Sequence, residues 1–196
     1  MFFDARLELG RNGLIENPVA FARDGLQHPV DIFEQWDEAQ LNQIDLYHAT
    51  DKTIVEEHQV KVNSFTATLS NGRYDIVFDA VDKNINEYKT EKRNKLKALF
   101  QEKIIQPVDA LNNTWNGGYE SALLINGKAQ TLEYLNQIKG DIHDINNEPH
   151  ILTVDEIKQV AAEISIAYEL HFDWYQSKKR EIDNSNDVLV LAEVQL

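Results

Sequence analysis

The spacing of apolar residues changes at about Val81, and that change limits the fold more than any other feature. In Phe65-Thr66-Ala67-Thr68-Leu69 and again in Tyr74-Asp75-Ile76-Val77-Phe78, apolar residues alternate with polar ones, and Ser70-Asn71-Gly72-Arg73 lies between the two runs. Alternation by two marks a half-buried strand, and Asn-Gly tolerates the left-handed backbone of a tight turn, so the stretch predicts a β-hairpin. From Val81 the positions Val81, Ile85, Tyr88, Lys92, Leu96, Leu99, Phe100 and Ile104 fall three and four apart with charges between them. That spacing predicts a long amphipathic helix. A chain with both periods in succession must combine strand and helix.

Punctuation divides the rest. Pro107 ends or kinks the first helix, and Asn112-Asn113 with Asn116-Gly117-Gly118 predicts a loop. A shorter helix is expected from about Lys128 to Lys139, capped by Gly140, and a short strand pair in the Asp141 to Leu152 segment. Thr153 with Glu156 forms a capping box. After it, Ile157, Val160, Ala161, Ile164, Tyr168, His171, Trp174 and Ile182 keep helical spacing to about residue 183. The two long helices are expected to pack antiparallel, within one chain or between chains. After Asn184-Ser185-Asn186-Asp187, the aliphatic run Val188 to Ala192 reads as a strand, pairing with the hairpin of its own chain or with a neighbouring subunit.

Residues 1 to about 75 hold half of the four prolines and half of the eight glycines, which predicts a loop-rich region. Arg23-Asp24-Gly25-Leu26-Gln27-His28-Pro29 predicts a turn followed by an extended, docking segment. From Pro29 to Leu46, Ile32, Phe33, Trp36, Leu41 and Ile44 suit a helical turn or two with one apolar side. The expected fold class is therefore α+β: a loop-rich N-terminal region with a β-hairpin, then a mainly helical domain with two long antiparallel helices and a shorter helix, then a strand-like tail. The expected divisions are a docking region at 1–80, the helical domain at 81–184 and a C-terminal arm at 185–196.

Lys+Arg number 19 against 33 Asp+Glu, a formal charge of −14. Such a surface repels phosphates and anionic lipid, so neither nucleic acid nor membrane is an expected partner. Zero cysteines exclude disulfides, thiolate metal sites and a cysteine nucleophile. Charges interrupt the apolar residues of Met1 to Glu8, unlike a secretory leader, and the Val188 to Ala192 run is far below the roughly 20 residues of a membrane span.

No phosphate loop, dinucleotide fingerprint, His-Glu-x-x-His or Gly-x-Ser-x-Gly occurs. Asp144, Asn146, Glu148 and Asp155 partly imitate a calcium loop, but Pro149 stands where glycine is needed and Asp155 is too short for the bidentate glutamate. A turn is the better reading. His143 and His150 can face each other across the short strand pair near Asp141 and Asp144, where backbone-bonding roles at a turn outweigh proton transfer. His171 reads as a core or interface residue, and Trp36, Trp115 and Trp174 as buried anchors before any sugar-stacking platform. No catalytic, cofactor or metal residue is assigned.

The order of these motifs carries a further signal. Lys92-Arg93 on a helix is followed by Trp115-Asn116-Gly117-Gly118 before Ser121-Ala122, then by Ile142-His143-Asp144 and the turn at Asn146-Asn147. His150-Ile151-Leu152-Thr153 with Glu156 comes next, then a final helix with Lys178 and Ile182. From about Tyr88 to Asp183 this pattern resembles a C-terminal domain of unknown function found in many tailed-bacteriophage proteins encoded near tail and tail-fibre genes. The segment from Arg23 to Leu46 looks like the region that often precedes that domain. The resemblance implies a non-enzymatic structural or adaptor role in the virion, at the tail, baseplate or fibre. It further implies synthesis in the host cytoplasm, multi-copy or homo-oligomeric assembly and other tail or fibre proteins as partners. A fibre-assembly chaperone that leaves the particle is the alternative, and a polysaccharide-acting enzyme comes third.

Overall fold

The computed structural model describes residues 1–196, which separate into two compact units, Met1–Lys83 and Asn84–Leu196.

The first unit is built on a five-stranded sheet. Its strands are β1 (Phe2–Asp4), β2 (Leu14–Ile15), β5 (Leu46–Asp51), β6 (Gln59–Ser70) and β7 (Arg73–Asp82), in the order β2-β1-β5-β7-β6. All neighbours are antiparallel except β5 and β7, which run parallel. A separate hairpin, β3 (Phe21–Arg23) with β4 (Leu26–His28), and two short helices, α1 (Ile32–Gln35) and α2 (Glu38–Asn42), complete the unit. Both hairpin turns use the same backbone device. Asp24-Gly25 lie at φ 52° and 78°, and Asn71-Gly72 at 51° and 77°. Positive φ at both central residues matches the right-handed twist of the flanking strands.

Two apolar clusters fill this unit. One gathers Phe2, Ile15, Phe21, Ile32, Phe33, Leu41 and Leu46, and the other Phe3, Leu14, Ile76 and Phe78. Phe2 and Phe3 point to opposite faces of β1, so one strand feeds both clusters. The unit also buries an ion pair, Arg23 Nη2 to Asp4 Oδ2 at 2.6 Å, with both side chains at most 1% exposed. Asp4 also accepts the backbone N–H groups of Arg6, Glu8 and Leu9 at 2.9–3.0 Å, and Arg23 donates to the Ile44 carbonyl.

The second unit runs α3 (Ile85–Ile104), β8 (Val108–Ala110), β9 (Asn113–Trp115), α4 (Tyr119–Tyr134), β10 (Lys139–His143), β11 (Pro149–Thr153), α5 (Val154–Asn184) and α6 (Val188–Ala192). β8–β9 and β10–β11 are two-stranded antiparallel ribbons. One core joins Trp115, Ala122, Ala129, Leu132, Ile142 and Ile157, drawn from both helices and ribbons. The other joins Tyr88, Leu96, Ile182 and Leu191. α5 starts at a complete capping box: Thr153 Oγ1 accepts the Glu156 N–H, and the Glu156 carboxylate accepts the Thr153 N–H at 2.8 Å.

The expected fold class needs correcting. The first region is not loop-rich with one hairpin, because residues 2–51 supply three strands of a five-stranded sheet. The second is not a helical domain resting on two long helices, since strand residues Trp115, Ile142 and Ala110 stand in its core. The tail is a helix, not a strand. Asp187 caps it by accepting the N–H groups of Leu189 and Val190, and Leu191 is fully buried while Leu189 and Val190 are exposed. Five aliphatic residues are too few for periodicity to separate strand from helix, and the cap decided.

Three boundaries also move. Val81 belongs to β7, opposite Val60, and α3 begins at Ile85. The middle helix covers 119–134 instead of 128–139, and Gly140 lies in β10. Its start explains Gly117-Gly118: a Cβ on Gly117 would collide with the Gln106 carbonyl oxygen, and Gly118 takes φ 96° as the residue before the helix.

Candidate protein interface

The residues singled out by the sequence around Trp115 to Glu156 meet in one structural knot. Trp115 is fully buried and its indole N–H donates to the Ala110 carbonyl at 2.9 Å, across the β8–β9 ribbon. The His150 ring stands edge-on to Trp115 with centroids 5.4 Å apart, and His150 Nε2 lies 3.1 Å from Asp144 Oδ2. Asp144 Oδ1 accepts the N–H groups of Asn146 and Glu148 at 2.8 and 2.9 Å, and the Ile145 N–H reaches the Thr114 carbonyl at 3.0 Å. These bonds hold the Asp144 carboxyl below its ordinary value, the Glu148 amide first and His150 second. The carboxylate is thus turned onto backbone amides at the ribbon's tip.

His143 and His150 do not face each other. Ile142 pairs with His150 and His143 with Pro149, so the two histidines lie on opposite faces of the ribbon. His150 shares the inward face of Ile142, and His143 is exposed. Of the calcium-loop residues, Asn146 and Glu148 are exposed in the β10–β11 loop and Asp155 in the first turn of α5. No group of three His, Cys, Asp or Glu is placed to hold a metal ion. The three tryptophans sit in three separate clusters: Trp36 against the one that holds Phe33 and Leu41, Trp115 in the ribbon core, and Trp174 against the one that holds Tyr88 and Ile182. They form no common platform. His171 is half-buried on α5.

Two surface features escaped the sequence. The first is a cavity of about 300 Å³ in the first unit, lined by Leu9, Leu14, Phe33, Phe65 and Phe78 with Arg11, Glu16, Asn17 and Asn63 among its polar residues. Its residues come from four separate segments, which no local pattern connects. The second is the edge of the sheet. β6 is an outermost strand, and its pairing with β7 passes from Lys61↔Ala80 to Phe65↔Phe78, leaving Val62, Asn63 and Ser64 opposite Asp79 alone. Asn63 belongs to both features. In the second unit Leu124, Tyr134, Ile138 and Ile151 are each more than three-quarters exposed. No helix is long and apolar enough to cross a membrane.

Comparison with protein-family models, curated proteins and solved structures finds no match to this chain.

Proposed function

We propose that this chain is a non-enzymatic structural or adaptor protein of a bacteriophage virion, in the tail, baseplate or tail-fibre region. It acts through protein–protein contacts and in several copies. The observation that carries this reading is the ordered run from Trp115 to Glu156, whose motif residues resemble those of the phage domain. Trp115, Asp144, His150, Thr153 and Glu156 are all engaged in turns, caps and packing. Residues used this way shape a surface and leave the ribbon with no free nucleophile and base side by side.

Quantitative mass spectrometry of density-purified virions tests the proposal. A fixed ratio of this chain to the major tail protein is the expected result. Absence from particles with presence in infected-cell lysate overturns it in favour of an assembly chaperone, for which the exposed Tyr134, Ile138 and Ile151 also suit. A polysaccharide-cleaving activity that disappears on His143 and His150 substitution, with folding kept, overturns both.

A further inference from the structure

We propose that the cavity beside the β6 edge receives a short extended segment of a partner protein, carrying one bulky apolar side chain and, two residues along on the same face, an acidic one. The inference rests on the adaptor reading and names the chemistry of its partner.

Three observations converge on it. At about 300 Å³ the cavity is at the small end of ligand sites, about 300–1,000 Å³, and its apolar wall is aromatic, with Phe33, Phe65 and Phe78. One large apolar side chain fits within that space. Next to it, β6 is the outermost strand of the sheet, so the edge it turns away from β7 has no strand neighbour. An edge strand with free amides and carbonyls is where an added strand gains main-chain hydrogen bonds, while an adjoining pocket reads its side chain.

The third observation is charge. Arg11 is exposed, lines the cavity, and makes no ion pair or side-chain hydrogen bond within the chain. A guanidinium fork fits a carboxylate in two parallel hydrogen bonds, which selects an acidic residue on the same strand face as the apolar one. Glu16 also lines the cavity and opposes that carboxylate, so it limits affinity while accepting an N–H of the segment. Lys61 adds no second attraction, because it is already paired with Asp51 at 2.5 Å.

The occupant is not a second copy of this chain. The three-residue skip bends β6 and interrupts the flat edge that two whole strands would need for mutual pairing. A short segment from another protein, spanning only the stretch beside the cavity, avoids that obstacle.

The test titrates the intact, isotope-labelled chain with the peptide acetyl-Thr-Phe-Val-Asp-Val-Thr-amide, whose Phe and Asp share one strand face, and follows amide resonances. Saturable shifts at Arg11, Val62, Asn63 and Ser64 are expected. Replacing the peptide's Phe by Ala, or its Asp by Lys, should weaken binding by at least about tenfold. Arg11→Glu, an exposed change that leaves the core intact, should reverse the preference between the Asp and Lys peptides, and Glu16→Gln should tighten the Asp peptide. No saturation into the millimolar range, shifts confined to other residues, or indifference to Arg11→Glu overturns the proposal. Concentration-dependent changes at the same amides without peptide overturn it in favour of self-association. Failure here leaves particle stoichiometry unchanged, and absence from particles leaves peptide binding unchanged, so the two readings fail separately.

Discussion

Lys61 reaches from β6 to the Asp51 carboxylate at 2.5 Å, and the Thr53 N–H donates to the same group at 2.9 Å. Lys61 first and Thr53 second hold the Asp51 carboxyl at about 2, against its ordinary 3.8. A depressed carboxyl stabilises the fold fully above 3.8 and loses that contribution as pH falls toward about 2. Carboxyl-detected NMR should therefore give an Asp51 midpoint near 2, moving toward 3.8 in Lys61→Met. A midpoint near 3.8 in the unaltered chain would refute the pairing. The Asp4–Arg23 pair is a different case, because both side chains are buried. Arg23→Met leaves a buried carboxylate without its cation and is expected to cost about 3–5 kcal/mol in denaturant unfolding. A loss below about 1 kcal/mol would mean that the Arg6, Glu8 and Leu9 amides alone satisfy Asp4.

Among the elements, α6 shows how little is needed to overrule a local preference. Val188-Leu189-Val190-Leu191-Ala192 has strand composition, yet Asp187 supplies an N-cap and Leu191 finds a buried site against Tyr88, Leu96 and Ile182. The Lys92 ammonium, itself buried, donates to the Val194 carbonyl at 3.3 Å and fixes the turn beyond the helix. Asp187→Ala should remove the cap at a cost of about 1 kcal/mol and speed hydrogen exchange at Leu189, Val190 and Leu191. Unchanged exchange there would assign the helix to packing alone. β6 makes the converse point: its alternating pattern announces a strand, but its bulge and its place at the sheet edge depend on β7 and β5.

At the scale of the molecule, each unit has apolar clusters of its own. Phe2, Phe3, Leu46 and Ile76 serve the first, and Trp115, Ile157, Tyr88 and Ile182 the second. Each unit is longer than the smallest domains that fold alone, about 55–65 residues. Fragments 1–83 and 84–196 are therefore each expected to give dispersed amide spectra and cooperative thermal transitions. A fragment that stays collapsed without dispersion would show that its core needs the other unit.

What the sequence determined by itself is local. The Asn71-Gly72 turn, the Thr153–Glu156 box and the helical spacing of Ile157, Val160 and Ile164 are each settled by neighbours a few residues away. Where a decision depended on contacts distant in sequence, the local signal failed. Phe2 and Phe3 read as a charged, broken start but form a strand because β5 pairs with them. Gly118 read as a loop but opens a helix because Gly117 lies against Gln106. His143 and His150 read as a facing pair until strand register put them on opposite faces. The candidate cavity is the extreme case. Leu9, Arg11, Phe33, Asn63 and Phe78 share no spacing, and only the folding of the first unit brings them to one wall.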